Sequence, residues 1–248
     1  MRHIVIYESF NIGEKRHTSF LPPPPNIASI GNFDSCKQLT PNDMDRFVDH
    51  CCWFVLANQG KSKRYTDVNP LDGGTVGISH FAVGGLKKLY LEIGDEKCKK
   101  YWGVSAQELA DNYGQQCRPD GKKGDDTGWG CYSGGHNPLG IDWKKGMTDF
   151  VNDINNNPIQ DAATRTGRKK AIKAAMDQGW KTPFEWAVAV GISNSRGNGG
   201  FKKLASANGW DASKTLDEYV KIGGGQGKHN WRRSELIKKF YPQCESSG

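Results

Sequence analysis

The sequence predicts a mainly α-helical protein of the α+β class that carries one small β-ribbon. Three observations predict it. Apolar residues recur at three-to-four spacing behind helix-start signals, reciprocal capping pairs open later segments, and one turn-rich, β-branched stretch lies between them. At 248 residues with 36% hydrophobic content, the chain is long enough to bury one good core or a pair of lobes sharing a cleft. With 31 glycines and 11 prolines, loops are expected to be prominent.

Residues 1–39 read as an N-terminal arm or linker, because Pro22 to Pro25 form a semi-rigid spacer and periodicity is weak there. The folded domain is expected over 40–248, with order beginning near Thr40. Thr40 as N-cap, Pro41 at the first helical position and Asp43 in the first turn launch a helix. Its Met44, Phe47, Cys51 and Val55 recur on one face until Gly60 stops it. Residues 61–80 suit a hairpin or a three-stranded ribbon. From Phe81 the chain is mostly helical: Ser105 with Glu108 and Thr182-Pro183 with Glu185 are capping boxes, and Asp142 and Asn230 open further helices. Residues 115–140 look like a long loop, and no internal repeat is present.

Charge and cysteines bound the partners. A net charge of +7 favours polyanions: nucleic acid, anionic membrane or bacterial wall polymer. RNA-recognition signatures, zinc-finger spacing and a continuous basic helix are all absent from the sequence, so nucleic acid is not the expected partner. No apolar run is long enough to span a bilayer, and the Ile4 to Tyr7 run broken by Glu8 lacks a secretory h-region. A wall target would require a holin, a contact-dependent injection machine or a larger parent protein. The seven cysteines include no C-x-x-C pair, which argues against a zinc ribbon, and no metal or cofactor is expected. Cys117 and Cys131 bracket a Gly/Asp/Lys-rich loop that either a disulfide or a reduced pair would suit.

The informative stretch is Asn58-Gln59-Gly60, Tyr65-Thr66-Asp67, and Asp72-Gly73-Gly74-Thr75-Val76-Gly77-Ile78-Ser79-His80. The Thr-Val-Gly-Ile-Ser-His run resembles the Thr-x-Gly-Ile-Gly-His of phage-type lysozymes. There an acidic residue followed by Gly ends the preceding helix and a Tyr-x-Asp begins the ribbon. Asp72-Gly-Gly-Thr-Val-Gly-Ile equally resembles the corresponding run of family 46 chitosanases, with a shorter glycine turn. That second likeness extends to Phe184–Gly191, the Gly/Asn loop up to Gly199-Gly200-Phe201-Lys202-Lys203, and Trp231-Arg232-Arg233, where the family has a late helix with a structural Arg. Together it covers roughly residues 45–240 at low identity. The resemblance implies a two-lobed lysozyme/chitosanase-like fold, with the ribbon at an active-site cleft.

Glycoside hydrolysis needs a carboxylic acid to protonate the leaving oxygen and a second carboxylate across the bond to activate water. The acid belongs at a helix end, where partial burial raises its pKa; the second carboxylate stays ionised on the polar ribbon. Asp72 is the first choice for that carboxylate because two glycines follow it, and Asp67, matching Tyr-x-Asp, is its rival. The resemblance implies that Thr75 holds the attacking water and that His80 braces the ribbon. Substrate contact is assigned to Tyr65, Gly73, Gly74, His80, Asn194 and Arg64.

One departure outweighs these matches. Where the resemblance calls for Glu, the chain has Gln59, nearly isosteric but unable to donate a proton. As written, the enzyme is expected to be inactive. An introduced Glu-to-Gln change, made to trap substrate or disarm a toxic enzyme, explains this most simply; a natural alteration with Asp49 or another carboxylate substituting is the alternative.

Blander readings stand beside these. Asp72 with Gly73 and Gly74 also fits an ordinary capped hairpin turn, His80 a hydrogen-bonded structural residue, and Cys51 and Cys52 simple helix packing. Lys61, Lys63 and Arg64 form a short solvated charge run; Trp129 and Tyr132 suit sugar stacking, and Trp143 suits a core. The Gly-rich 223–227 stretch lacks the Lys-Ser/Thr of a phosphate loop. The leading expectation is a monomeric muramidase cutting peptidoglycan glycan strands, either an injected effector of the type VI secretion kind, acting in a target cell's periplasm and matched by an immunity protein, or a phage endolysin. A chitosanase and a non-catalytic cell-wall glycan-binding domain are the alternatives. The positive charge disfavours cationic chitosan.

Overall fold

The computed structural model describes residues 23, 25–57, 65–69, 75–77, 79, 81, 84–113, 138–222 and 227–244. Over these the chain is mostly helical, as the sequence predicts. The helices are α1 (Pro25–Ala28), α2 (Met44–Cys51), α3 (Gly84–Trp102), α4 (Ala106–Tyr113), α5 (Trp143–Asn152), α6 (Asn157–Met176), α7 (Pro183–Ala207), α8 (Ala212–Lys221) and α9 (Gly227–Phe240). Two strands, β1 (Val68–Asn69) and β2 (Thr75–Val76), pair antiparallel with Val68 opposite Val76 and Asn69 opposite Thr75. An isolated bridge joins Val76 to Phe81, so the described residues contain two strands rather than three.

Local start signals set most helix ends. The Thr40 backbone N–H and hydroxyl both donate to the Asp43 carboxylate at 2.9 Å, and Pro41–Asp43 form a single 3-10 turn that feeds α2. Ser105 pairs reciprocally with Glu108, Thr182 with Glu185, and the Asp142 side chain accepts from the Lys145 N–H. Asn230 behaves differently from its expected role as a helix start. It lies inside α9, buried, and its amide donates to the Tyr219 and Ile222 carbonyls at 3.1 and 3.0 Å. These are orphan acceptors at the C-terminus of α8, so Asn230 caps the preceding helix instead of opening its own.

Buried side chains gather into two main clusters. One unites Met44, Phe47, Cys51 and Val55 of the first helical stretch with Trp186 to Val190 of α7 and the apolar faces of α8 and α9. The other holds Leu86, Leu89 and Tyr90 of α3, Tyr113, Trp143, Phe150 and Val76. Trp143 is a core residue whose indole N–H donates to the Tyr90 hydroxyl at 2.7 Å. Helix α6 serves both clusters, giving Ala163 to the second and Ala171, Ile172 and Ala175 to the first.

Two findings revise the sequence reading of the ends and of α7. Order begins upstream of Thr40: Ile27, Phe33 and Leu39 are buried, and Cys36 is disulfide-bonded to Cys244, 208 residues away. Tertiary packing, not local periodicity, orders this stretch. The predicted Gly/Asn loop after Gly191 contracts to a kink: α7 runs through it, broken at Gly197, whose φ of 66° only glycine adopts cheaply. Free Cys51 and Cys52 are buried, as packing residues should be, whereas Cys117, Cys131, Trp129 and Tyr132 lie outside the described residues.

Buried His50 gives the fold a pH dependence. Its Nδ1 is 2.6 Å from the Tyr241 hydroxyl, and burial, reinforced by the Arg46 charge against a Gly31 backbone hydrogen bond, pushes its pKa down to about 4. The folded state therefore binds fewer protons than the unfolded state between about pH 4 and 6.5, and stability falls as the pH drops through that window. Denaturant titrations across this range are expected to show that loss, and His50→Gln should flatten it. An unchanged slope in the variant would assign the dependence elsewhere.

Candidate active site

The first helical stretch does not end as a plain α-helix. Beyond Cys51 it widens into a π-helical turn over Cys52–Leu56, and Ala57 follows with its N–H bonded to the Cys52 carbonyl at 2.8 Å. Such turns often mark functional sites, and this one leads directly into Asn58-Gln59-Gly60. Gln59, Arg64, Asp72, Gly73, Gly74 and His80 lie outside the described residues, so the separations from position 59 to the two aspartates do too.

Tyr65, Asp67, Thr75 and Asn194 are described. Tyr65 is held by α6 at both ends: its carbonyl accepts from Gln160 Nε2 at 3.0 Å and its phenol donates to Asp161 Oδ1 at 2.7 Å. Burial, followed by the nearby Asp161 charge, raises the phenol's pKa well above its ordinary value. Two residues on, the half-buried Asp67 accepts from the Gly77 N–H at 2.8 Å through its backbone carbonyl, and Thr75 sits in β2 opposite Asn69. Ser79 and Thr164 complete the attachment, their hydroxyl oxygens 2.6 Å apart and buried.

This attachment explains one glycine of the motif. Gly77 has φ 65°, and a Cβ there would lie 1.8 Å from Gln160 Oε1. Both backbone conformation and space demand glycine. Gly77→Ala is expected to cost about 2 kcal/mol from the left-handed backbone alone, plus the displacement of Gln160. Urea unfolding measures the loss, and a wild-type midpoint would refute the close approach.

One face of α6 carries Gln160, Asp161, Thr164, Arg165 and Arg168, a polar stripe at helical spacing that the sequence reading passed over. Arg165 meets Asp49 of α2 in a bidentate ion pair at 2.8 and 2.6 Å. That geometry corrects one expectation: Asp49, considered as a substitute proton donor, has both oxygens committed as acceptors. Asp161 is the other carboxylate of this stripe, and its Oδ1 accepts from the Tyr65 phenol. Half-buried, its carboxyl pKa is raised above the ordinary value, first by desolvation and then by the Asp49 charge, against the lowering effects of the Tyr65 hydrogen bond and Arg165. Next along the stripe, Arg168 donates through Nη2 to Asn194 Oδ1 of α7. Arg233, which the resemblance treats as structural, is buried and donates to the Gly191 carbonyl at 2.9 Å and to the Tyr219 hydroxyl.

Among the described residues no group of three or more His, Cys, Asp or Glu side chains could hold a metal ion, and no helix is long and apolar enough to cross a membrane. No protein-family model matches the chain, and neither a curated protein nor a solved structure matches it significantly.

Proposed function

We propose that the chain is a glycoside hydrolase of the muramidase kind, acting on the glycan strands of bacterial peptidoglycan and disarmed at its acid by Gln59. The observation that carries this reading is the double grip of α6 on Tyr65. It fixes the segment bearing Asp67 against the same helix that contacts α2, whose π-helical end leads to position 59. The two buried clusters sharing α6 support a two-lobed, lysozyme/chitosanase-like arrangement with the β-pair at its cleft.

In this mechanism a Glu at position 59 protonates the leaving oxygen, while Asp72 or Asp67 activates a water that Thr75 holds, with inversion at the anomeric carbon. Gln59 itself favours a second reading, a glycan-binding module without catalysis, because an amide cannot supply the proton. Delivery to a target cell's periplasm, with an immunity protein as partner, fits a basic wall-directed enzyme.

Clearance of purified cell walls and of chitosan by the Gln59→Glu form tests these readings together. Clearance of walls is expected. Chitosan-only clearance would replace the muramidase by a chitosanase, and wall binding with no product would leave the binding module.

A further inference from the structure

We propose that the exposed faces of α6 and of the kinked end of α7 form a cationic ridge that docks this chain on the carboxylate-bearing stem peptides of the cell wall. The inference rests on the glycan reading above and deepens it by naming a second contact, apart from the β-pair, that holds the chain on its polymer.

Two helical runs lie side by side to make the ridge. After the break at Gly197, the rest of α7 returns along the second half of α6. At one end Asn198 donates through Nδ2 to the Gly167 carbonyl at 3.4 Å. At the other, Trp180, just past α6, has its ring 5.8 Å from that of Phe201 and donates through its indole N–H to the Trp210 carbonyl at 2.5 Å. Ala171, Ala175, Phe201 and Ala205, on the inner sides, belong to the first cluster, whereas Val76 of the β-pair belongs to the second. The outer sides carry Lys170 and Lys173 on α6 and Arg196, Lys202 and Lys203 on α7, all exposed. Gly200 leaves room for Arg196 there, since a Cβ at that position would lie 2.7 Å from the Arg196 Cβ.

Charge on this ridge is one-sided. Residues 166–176 and 195–207 contain seven Lys and Arg and no Asp or Glu. Lys169, on the flank, is matched by Asp45 of α2, whereas none of the five exposed cations makes an ion pair among the described residues. The carboxylates next in sequence stand outside these runs, Asp177 past the end of α6 and Asp211 at the N-cap of α8. Other helices match their lysines: Lys145 pairs with Asp149, Lys221 with Glu218 and Lys238 with Asp217. Like charges gathered on one surface repel one another and create a positive potential that a polyanion relieves. The large apolar side chains that are exposed, Leu91, Ile154, Ile222 and Trp231, all lie on other segments, so the ridge has nothing to insert into a bilayer. Its one aromatic residue, Phe201, is buried and cannot stack on bases, and a single Arg among five cations gives little reading of base edges. Ammonium groups on flexible stems suit spaced, mobile carboxylates such as those of stem peptides along a glycan strand.

Co-sedimentation of the full chain with purified sacculi, stripped of attached phosphate polymers, tests this, and Gln59 keeps the glycan intact during the measurement. The comparison ligands are sacculi whose carboxylates have been coupled to methylamine, duplex DNA, and vesicles of phosphatidylglycerol and phosphatidylcholine. At low salt, native sacculi are expected to bind tenfold or more tightly than amidated ones, and the advantage should vanish near about 1 M salt. Lys170→Gln, Lys173→Gln, Lys202→Gln and Lys203→Gln together should bring the ratio close to one. The same four positions changed to Arg should preserve it, which separates loss of charge from loss of fold. Equal binding to both kinds of sacculi, a ratio that survives the Gln changes or is lost with the Arg changes, or tighter binding to DNA or vesicles than to native sacculi would overturn the role of the ridge. Hydrolysis of a soluble, peptide-free wall oligosaccharide by the Gln59→Glu form reads the glycan proposal separately. Activity there beside any of those failures removes the ridge alone, and ridge-dependent binding without activity removes the hydrolase alone.

Discussion

Gln59→Glu is expected to raise the rate of wall hydrolysis by about 10² to 10⁴, the contribution of a positioned proton donor. The amide and the carboxyl are nearly the same size, so the change tests chemistry with little disturbance of packing. The leaving oxygen of a glycoside is too basic to depart unprotonated at neutral pH, and an amide N–H is far too weak an acid to assist it. The regained activity should fall at high pH as the introduced carboxyl loses its proton. In that background, Asp67→Asn and Asp72→Asn separate the two ribbon aspartates: the one facing the substrate should return the rate to that of the Gln59 form, and the other should change it little. NMR of the first-formed product should show the inverted anomer. A Gln59→Glu form no more active than the parent on walls or chitosan would defeat the hydrolase proposal.

The second large effect concerns the Cys36–Cys244 bridge. Cys36→Ser, or reduction of the disulfide, is expected to cost about 2 to 5 kcal/mol of stability, toward the upper end because the bond closes a segment of 208 residues. The bond pins the stretch carrying Phe33 and Leu39 beside the C-terminal residues that follow α9, so its loss releases both ends from the first cluster. Chemical denaturation with and without reductant measures the difference. A chain equally stable in both conditions would mean that the packing of Phe33 and Leu39 alone secures these ends.

What the sequence revealed followed the range of the interaction. Thr40, Ser105, Asp142 and Thr182 were legible because a cap is made within three residues of itself. Met44, Phe47, Cys51 and Val55 were legible because one helix face repeats. The disulfide was not, since cysteines so far apart carry no local spacing signal, whereas Cys117 and Cys131 drew attention merely by proximity. Asn230 misled because its partners lie on the preceding helix rather than ahead of it. At the candidate site, Tyr65 was identified by its motif, but its partners Gln160 and Asp161 were not. Polar residues at helical spacing look the same whether they face water or grip a ribbon, and only the packing of α6 decides between the two.

That packing has a mechanical side. Helix α6 is bolted to one cluster through Ala163 and to the other through Ala171 and Ile172, and Gly167, its sole glycine, falls midway between these anchorages with no atom within 4 Å of where a Cβ would stand. A mid-helix glycine weakens a helix by about 1 kcal/mol relative to alanine. Any flexing of α6 should therefore centre at this point between its two anchorages, beyond the side chains that clasp Tyr65.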